Sequence, residues 1–536
     1  MSTPMRRAAA VLRLVLCLVF CAGILPGCGS LPEAKAPGPV TTVASDTSGT
    51  RLGKVLTPRL ARVPAGQSIF YPLASGPDAL GARLAMARGA DRTLDLQTYI
   101  FETTGTGAAL LGDIIDAADR GVRVRLLIDD MHTGGQDKIL AALDAHPNIE
   151  VRLFNPFANR SMRWLQLMLG FSRLDRRMHN KSMTVDNQLT LLGGRNVGDA
   201  YFSAKPEMDF SDLDVLVAGP AVAQVSAVFD EYWNDRSSYP VSALIHDGKE
   251  DPDEVHRLRK HLEYKGDQAK ASPYVQEILD SGLARGIESG HLPGYTGGAQ
   301  VIADKAAKIT QKLDDDPGDA TARVEKLMDS AQRELVLVSP YFVPSDDGEA
   351  QLIRLAKRGV RVRVLTNSFA ATDVAAVHAG YAPHRRALLE AGVELYELKA
   401  TAYAELARHG SKRIERGWLS SSRASLHAKS YMVDRHLVFI GSLNLDPRSA
   451  KLNTEMGVVL DSAPFCANVL KGMDRDLMRM SYKVELRPDP NGGKPRMVWV
   501  TQENGQEKVY ESEPDMNALQ KLGVDILGVL PIDEEL

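Results

Sequence analysis

The sequence predicts an α/β protein with two homologous domains, each a mixed, largely parallel central sheet flanked by helices, in a pseudo-two-fold arrangement. Predicted strands and helices alternate through most of the chain, and the order of these elements occurs twice. The motif HxKxxxxD, followed by a small residue pair and Asn, stands in both copies. Matched segments are separated by 238 to 248 residues, which is typical of an internal duplication.

Length and composition are those of an ordinary globular protein. The 536 residues, 44% hydrophobic and 25% charged, suffice for two domains with their own cores. The formal net charge of −4 gives no global attraction to polyanions, so we expect no nucleic-acid partner. The sequence identifies no protein partner.

Residues 1–27 are predicted to be a lipoprotein signal peptide. Three arginines precede an uncharged run, Leu14 to Leu25, that is too short for a comfortable membrane span. Cys28 then follows a small residue and would become the lipidated first residue; an uncleaved signal anchor and a plain secretory signal are the alternatives. Cleavage predicts a protein lipid-anchored in the bacterial cell envelope and facing the periplasm. Gly29 rather than Asp follows the cysteine, which favours the outer membrane over the inner.

Residues 28–65 are predicted to be a flexible tether, because they are rich in Pro, Ala, Thr, Ser and Gly with few large apolar residues. Of the four cysteines, two lie in the signal peptide and Cys28 would carry lipid. Only Cys466 then remains, so no intramolecular disulfide is expected.

The first domain is assigned to residues 66–245. Alternation of apolar and polar residues predicts a strand over 93–100, and helical periodicity predicts a helix over 108–120. Further strands are predicted at 122–130 and 149–154, which gives βαβ units around a buried sheet.

The second domain is assigned to residues 321–485, because it repeats this order. Its predicted strands lie at 334–341, 358–365 and 393–396. Residues 246–320 are predicted to be a helical, polar connecting insertion, and residues 486–536 to be a hairpin and tail.

The repeated motif supplies the candidate catalytic residues. Residues two apart on a strand share a face, so the His and Lys of each copy point the same way. A single such strand would more often be a solvated sheet face, but two domains packed face to face would form a positively charged pocket. Its six side chains would be His179, Lys181, Asn196, His427, Lys429 and Asn444.

This set suits phosphodiester chemistry without a metal or other cofactor. A neutral imidazole can attack phosphorus, and an opposite imidazolium can protonate the leaving alkoxide. Lysine and asparagine donors can stabilise the negative charge that develops on the non-bridging oxygens.

The chain resembles the phospholipase D superfamily, in which this motif occurs twice, and within it the bacterial cardiolipin synthase C-like branch. The similarity covers roughly residues 68 to 480. It includes the segments Arg177 to Ser182, Gly193 to Phe202, Val377 to Tyr381, Gly392 to Leu398, and Gly441 to Ser449.

The resemblance implies a role for each candidate. One motif histidine is the nucleophile that forms a phosphatidyl-histidine, and the other is the acid and later the base. We assign His179 as nucleophile and His427 as acid, with exchanged roles as the alternative. An acidic residue in each half orients the imidazole, and Asp212 and Glu455 hold matching places just before a strand, with Asp214 as the substitute for Asp212.

Other conspicuous polar residues are predicted to be structural. Asp186 and Asp434 fall at turns, where an aspartate commonly binds its own backbone, so we interpret both as structural supports of the motif. His132, His378 and His436 lack a repeated context and are interpreted as surface or packing residues.

The resemblance implies a phosphatidyltransferase that forms cardiolipin from phospholipids, with phosphatidylglycerol as substrate and phosphatidylethanolamine as a second candidate. The apolar stretch from Arg160 to Arg173, bracketed by arginines, would suit contact with a membrane surface, although a buried helix with basic ends has the same pattern. The alternatives are a phospholipase D that produces phosphatidic acid, and a phosphodiesterase or nuclease of the same superfamily.

Overall fold

The computed structural model describes residues 31, 40–169, 171–204, 209–245, 257–260, 262, 278, 282–289, 294–311, 318–402 and 424–516. The predicted signal peptide and Cys28 lie outside the described residues, as does the tail beyond residue 516.

The described elements fall into two halves of matching order. In the first half the strands are β1 Ser68–Leu73, β2 Thr93–Thr98, β3 Arg123–Asp129, β4 Ile149–Phe154, β5 Ser182–Val185, β6 Leu189–Gly193, β7 Asp209–Ser211, β8 Asp214–Ala218 and β9 Ser238–Pro240. Its helices are α1 Arg51–Leu60, α2 Gly76–Gly89, α3 Gly105–Asp119, α4 Asp137–Asp144, α5 Arg163–Leu169, α6 Phe171–Leu174, α7 Pro220–Trp233, α8 Val241–Leu244 and α9 Gly282–Ser289.

The second half begins with a long strand. Its strands are β10 Tyr295–Ala303, β11 Glu334–Val338, β12 Arg361–Asn367, β13 Glu394–Leu398, β14 Ala424–Leu426, β15 Lys429–Val433, β16 Leu437–Gly441, β17 Met456–Asp461, β18 Ser481–Arg487, β19 Arg496–Glu503 and β20 Gln506–Tyr510. Its helices are α10 Asp319–Asp329, α11 Asp346–Lys357, α12 Ala375–Tyr381, α13 Arg385–Glu390, α14 Pro447–Lys451, α15 Ala463–Asp474 and α16 Leu477–Met480.

Eighteen strands form one continuous sheet. The pairings give the order β9-β4-β3-β2-β5-β6-β8-β1-β10-β17-β16-β15-β11-β12-β13-β18-β19-β20. The two halves meet where β1 pairs antiparallel with β10, and the order of eight strands outward from that pair is the same on both sides. This repeat about the β1–β10 pair is the predicted pseudo-two-fold arrangement, and the hairpin β19–β20 extends one edge.

The α/β class is confirmed, but the sheet is less parallel than predicted. In each half only β2-β3-β4 or β11-β12-β13 pair in parallel. All other pairs in the eighteen-stranded sheet are antiparallel. Helical crossovers connect only those three strands, whereas the motif strands β5 and β15 run directly into hairpins, which produce antiparallel pairs.

The segment predicted to be a helical connecting insertion, residues 246–320, contains a strand of the central sheet. Within the supposed connecting insertion, β10 forms a central strand that pairs with both β1 and β17. Gly297 permits this close pairing, since a Cβ atom there would lie 2.1 Å from the carbonyl oxygen of Asp461. The second half therefore begins at β10 rather than at residue 321.

Residues 40–65, which were predicted to belong to the flexible tether, instead pack on the first half. The backbone N–H of Val43 donates to Asp230 at 2.9 Å. Helix α1 is capped by the Thr50 hydroxyl, and Leu52 and Leu56 on one face of this helix are buried in the core.

The core has three main parts. One apolar cluster lies in each half, on the face of the sheet that α2 and α3 cover in the first half and α10 and α11 cover in the second. A third cluster joins the halves and includes Phe70 and Val215 of the first with Val336 and Met432 of the second. Across the described part of the chain, no helix combines the length and apolarity needed to cross a membrane.

Candidate active site

The fold places each HxK motif beside the acidic residue of the opposite half. The backbone N–H of His179 donates to the carbonyl of Thr454 at 2.9 Å, and that of His427 donates to Ser211 at 2.8 Å. Thr454 directly precedes Glu455 in the chain, and Ser211 directly precedes Asp212. These main-chain hydrogen bonds therefore place each carboxylate beside the histidine of the opposite half.

Each histidine is oriented by a carboxylate from the other half. Nδ1 of His179 lies 3.0 Å from Oε2 of Glu455, and Nδ1 of His427 lies 2.6 Å from Oδ2 of Asp212. All four side chains are buried. With Nδ1 occupied, Nε2 of each ring remains to react with a substrate.

The small pair after each motif makes room for these carboxylates. A Cβ atom at Gly194 would lie 2.3 Å from Oδ1 of Asp212. In the second copy the equivalent Ser442 donates its hydroxyl hydrogen bond to Glu455. Asp214, the substitute considered for Asp212, instead forms an ion pair with Arg83 at 2.9 Å.

The two motif lysines bring buried positive charge to the site. Nζ of Lys181 donates to the carbonyl of His179 at 2.5 Å, and Nζ of Lys429 donates to that of His427 at 2.5 Å. Burial lowers the pKa of Lys181 to about 7 and lowers the pKa of Lys429 as well. A phosphate would relieve this desolvation by supplying the missing negative charge.

The two histidine–carboxylate pairs differ electrostatically. Burial, followed by the charges of Lys181 and Lys429, holds the pKa of His179 well below its ordinary value. Burial also raises the pKa of its partner Glu455 to about 7. His179 is therefore a neutral imidazole beside a carboxyl group that is still partly protonated near neutral pH.

The pair in the other half has a firmly ionised carboxylate. Burial would raise the pKa of Asp212, but the charges of His427 and Lys429 hold it below its ordinary value. The pKa of His427 is lowered by burial and Lys429, while Asp212 opposes that shift. Of the two imidazoles, His427 thus has the better support for a cationic form.

The predicted site residues Asn196 and Asn444 differ in their amide contacts. Oδ1 of Asn196 accepts a hydrogen bond from the backbone N–H of Ile100 at 3.2 Å. Oδ1 of Asn444 is buried and has no hydrogen-bond partner among the described residues. A buried amide oxygen without a partner is suited to accept a hydrogen bond from a bound ligand.

Aromatic rings around the histidines were missed by the sequence analysis. The Tyr99 ring meets His179 edge-on at 5.2 Å between centroids, and Tyr201 and Phe210 each lie 5.1 Å from the ring of His427. Burial raises the pKa of Tyr99 to about 12, which keeps its hydroxyl a hydrogen-bond donor. The position of Tyr99 could have indicated its role, because it directly follows the carboxyl end of a parallel strand, and ligands bind at that edge of α/β sheets.

The motif aspartates do not contact the histidines. Asp186 accepts hydrogen bonds from the backbone N–H groups of three consecutive residues, 91–93, at 2.7 to 3.0 Å. Asp434 does the same for residues 332–334. Each carboxylate thus fixes the chain where the first parallel strand of its half begins.

The three other histidines considered above lie in different parts of the fold. Exposed His132 lies edge-on to Tyr99 at 4.9 Å, so it is close to the site. His378 lies elsewhere, with Nε2 2.6 Å from Glu513 of the C-terminal segment. Nδ1 of His436 lies 3.5 Å from the carbonyl oxygen of Asp434, at the turn after β15.

The stretch from Arg160 to Arg173 is only partly as predicted. Arg160 and Arg163 form ion pairs with Asp130 at 2.6 and 3.2 Å, so neither is a free cation for a lipid headgroup. Trp164 is 64% exposed, however, on the same short helix. Among the described large side chains of the stretch, the exposed one is therefore aromatic, whereas Arg160 and Arg163 are held in ion pairs.

Comparisons with known proteins show which proteins this chain is similar to. Residues 84–233 and 324–477 match the family described as "Cardiolipin synthase, PLD-like domain", and each match contains one motif. The chain is 40% identical over 495 residues to cardiolipin synthase C of Escherichia coli, covering 90% of this chain and 99% of that protein.

More distant relatives cover most of the chain as well. An uncharacterized protein of Helicobacter pylori is 29% identical over 502 residues, covering 93% of this chain and 95% of that one. Cardiolipin synthase A of Pseudomonas syringae is 26% identical over 416 residues, covering 77% and 69%. The crystal structure of phosphatidylserine synthase from Haemophilus influenzae superposes with a TM-score of 0.54 at 13% identity, covering 91% and 100%, and at this identity it shows the fold alone.

Proposed function

This chain belongs to the phospholipase D superfamily, in its cardiolipin synthase family, and from that premise we propose that it forms cardiolipin by phosphatidyl transfer between phospholipids. The observation that carries the proposal is the pair of buried histidines, each held at Nδ1 by a carboxylate of the opposite half, with a lysine beside each. Such a site can hold a phosphodiester between two Nε2 atoms.

In the first step, Nε2 of His179 attacks the phosphorus of the donor lipid. The bond from phosphorus to the headgroup oxygen breaks, and His427 gives its Nε2 proton to the departing alcohol. The product is a phosphatidyl-histidine and a free headgroup alcohol. Lys181, Lys429 and the asparagine amides stabilise the negative charge on the non-bridging oxygens.

In the second step, a hydroxyl of the acceptor lipid attacks the phosphorus. His427 now takes the hydroxyl proton, the bond from phosphorus to Nε2 of His179 breaks, and neutral His179 returns. With phosphatidylglycerol as acceptor, the product is cardiolipin. Water in place of the lipid would give phosphatidic acid.

The two electrostatic environments support this assignment of roles. A nucleophile must be neutral, and the pKa of His179 is held well below its ordinary value. An acid needs a stabilised cation, and His427 lies 2.6 Å from an ionised Asp212.

We extend the proposal to where the enzyme works. Its substrates are phospholipids of a membrane, phosphatidylglycerol first, and the exposed side chain of Trp164 is suited to the lipid interface. A lipid on Cys28 would hold the enzyme at the periplasmic side of the bacterial envelope, in the outer membrane. Replacing Cys28→Ala is expected to release the enzyme from the membrane fraction, and unchanged fractionation would contradict the anchor.

The function is tested by lipid mass spectrometry of the purified protein with phosphatidylglycerol, alone and mixed with phosphatidylethanolamine. We expect cardiolipin from the wild type and none from His179→Ala. Phosphatidic acid as the sole product would make the enzyme a hydrolase. No lipid product at all would redirect the search to other phosphodiesters.

A further inference from the structure

A buried ion pair lies behind Glu455, the carboxylate that holds His179. Asp304 directly follows β10, and Lys308 comes four residues later, in a short 3₁₀ helix, Ala306–Thr310. Nζ of Lys308 lies 2.9 Å from Oδ2 of Asp304. Because both side chains are buried, the pair acts on the rest of the molecule only through the residues around it.

Asp304 fixes the main chain of Glu455. The backbone N–H of Glu455 donates to Oδ2 of Asp304 at 3.0 Å, and the backbone N–H of Asp304 donates to the carbonyl oxygen of Glu455 at 2.9 Å. Oδ1 of Asp304 accepts from the backbone N–H of Ala320, in the first turn of α10, at 2.9 Å. The position of Glu455 in front of His179 therefore depends on the Asp304 carboxylate.

Lys308 connects the pair to two other segments of the site. Its Nζ also donates to the carbonyl oxygen of Ser449 at 3.0 Å, and the Ser449 hydroxyl accepts from the backbone N–H of Asn444 at 3.3 Å. The carbonyl oxygen of Lys308 accepts from the guanidinium of Arg176 at 3.2 Å. Arg176 precedes His179 by three residues, so Lys308 contacts the chain near both motifs.

The related place behind Asp212 carries a guanidinium group instead. Arg195 donates to the carbonyl oxygen of Asp212 at 2.7 Å. It directly precedes Asn196, and Leu443 holds the same place before Asn444 in the second copy. The two copies of the motif therefore differ in charge at this position.

Two cations share one counter-charge behind Asp212. Asp214 lies 2.9 Å from Arg83 and 3.5 Å from Arg195, and all three side chains are buried. Two guanidinium groups and one carboxylate sum to a formal charge of +1, whereas the ion pair behind Glu455 sums to zero. Positive surroundings favour an ionised carboxylate, and neutral surroundings leave the effect of burial unopposed.

We propose that Lys308 and Asp304 are positioning residues for the nucleophile: the pair holds Glu455 at Nδ1 of His179, and the balance of its two charges controls the ionisation of Glu455. The inference rests on the proposed function and adds two residues that act through Glu455 rather than on the lipid. An ionised Glu455 stabilises the cationic phosphatidyl-His179, so a change in this balance alters the rate.

Glu455 has several charged neighbours besides this pair. Burial raises its pKa to about 7, and the charge of Lys181, a hydrogen bond from Ser442 and the charge of Lys308 oppose that shift, in this order. Lys308 lies outside both motifs, so it can be replaced without a change to either. The other titratable groups that face Glu455 are His179, Lys429, Tyr431 and Asp446.

The test removes the two charges of the pair separately. Lys308→Met leaves Asp304 without its counter-charge and should raise the pKa of Glu455, whereas Asp304→Asn leaves Lys308 unpaired and should lower it. The measurement is kcat for cardiolipin formation against pH, at saturating phosphatidylglycerol. We expect the midpoint of the rising limb to move up in Lys308→Met and down in Asp304→Asn, each by about half a pH unit or more.

The controls separate this effect from damage to the fold. Damage would lower the rate at every pH and could not move the midpoint in opposite directions. Lys308→Arg keeps the charge and should keep the wild-type midpoint, and Glu455→Gln identifies the limb because it lacks the titrating group. Arg83→Met, which removes a cation behind Asp212, should leave the midpoint of this limb in place. Lys308→Gln and Asp304→Ser repeat the two charge removals with other side chains, in case the first variants do not fold.

Three results would contradict the role of the pair and leave the proposed function intact. They are an unchanged midpoint in the folded variants, a shift in the same direction in both, and a wild-type rate that does not rise with pH through this region. Absence of cardiolipin from the wild type at every pH would instead overturn the proposed function.

Discussion

Replacing Asp212→Asn should slow cardiolipin formation far more than replacing Glu455→Gln. Both changes keep the size of the side chain and remove a negative charge next to a catalytic imidazole. Their effects should differ because Asp212 is ionised beside His427, whereas the pKa of Glu455 is raised to about 7 by burial. A neutral amide at position 455 is therefore closer to the resting state of the enzyme than one at position 212.

The magnitude follows from the Asp212 contact. The 2.6 Å hydrogen bond joins two buried groups, and a hydrogen bond to a charged group contributes about 1.5–3 kcal/mol. Its loss would lower the pKa of His427 by about one to two units, at 1.36 kcal/mol per unit. Because His427 transfers a proton in both steps, we expect kcat to fall about 100-fold in Asp212→Asn and about tenfold in Glu455→Gln.

The assay is the initial rate of cardiolipin formation at saturating phosphatidylglycerol, with thermal melting as a check on folding. A larger loss in Glu455→Gln would show that the histidine roles are exchanged. Equal losses in folded proteins would refute the electrostatic distinction between the two pairs.

The remaining predictions concern pH, charge and stability. The ionised form of Glu455, which stabilises the cationic phosphatidyl-His179, appears as pH rises through about 7, whereas Lys181 loses its charge in the same region. The wild-type rate should therefore pass through a maximum, and Glu455→Gln should lose the rising limb of the pH profile. Lys429→Met should lower kcat at least about 100-fold while the melting temperature changes little, because a side chain of similar length fills the site. Asp186→Ala, at a fully buried carboxylate, should reduce the free energy of unfolding by about 3 kcal/mol in denaturant titrations, against about 1 kcal/mol for the more exposed Asp434→Ala. Neither should change kcat of the folded enzyme; a large loss there would give the motif aspartates a catalytic role.

The repeated motif carried enough information to predict the centre of the site. The HxK spacing predicts that His179 lies with Lys181 and His427 with Lys429, and Nζ of each lysine donates to the carbonyl of its own histidine. These contacts are local because the residues of each pair are two apart in the chain, although His179, Lys181 and His427 lie just before the strands β5 and β15 rather than within them.

The sequence does not predict that each carboxylate contacts the histidine of the opposite half. Glu455 lies 276 residues from His179 in the chain, and only the docking of one half on the other brings them together. The sequence marked Asp212 and Glu455 as matching residues but contained no local signal for the partner of each.

Composition does not predict the structure of two ordered segments. Helix α1 lies in a segment whose Pro, Ser, Thr and Gly content is typical of a tether, although Leu52 and Leu56 have the i, i+4 spacing of a buried helical face. Strand β10 lies in a polar segment that is typical of an insertion, and its Gly297 allows two strands to approach closely. In both cases tertiary contacts outweighed average composition.

The most direct test of the account is to identify the covalent intermediate. His427→Asn removes the acid and base while leaving His179 intact, so the enzyme should react slowly with phosphatidylglycerol and then fail to release the phosphatidyl group. Mass spectrometry of the digested protein should find that group on His179, and His179→Ala/His427→Asn should carry none. A phosphatidyl group on another residue, or cardiolipin formed without any adduct in rapid-quench samples, would contradict catalysis through His179.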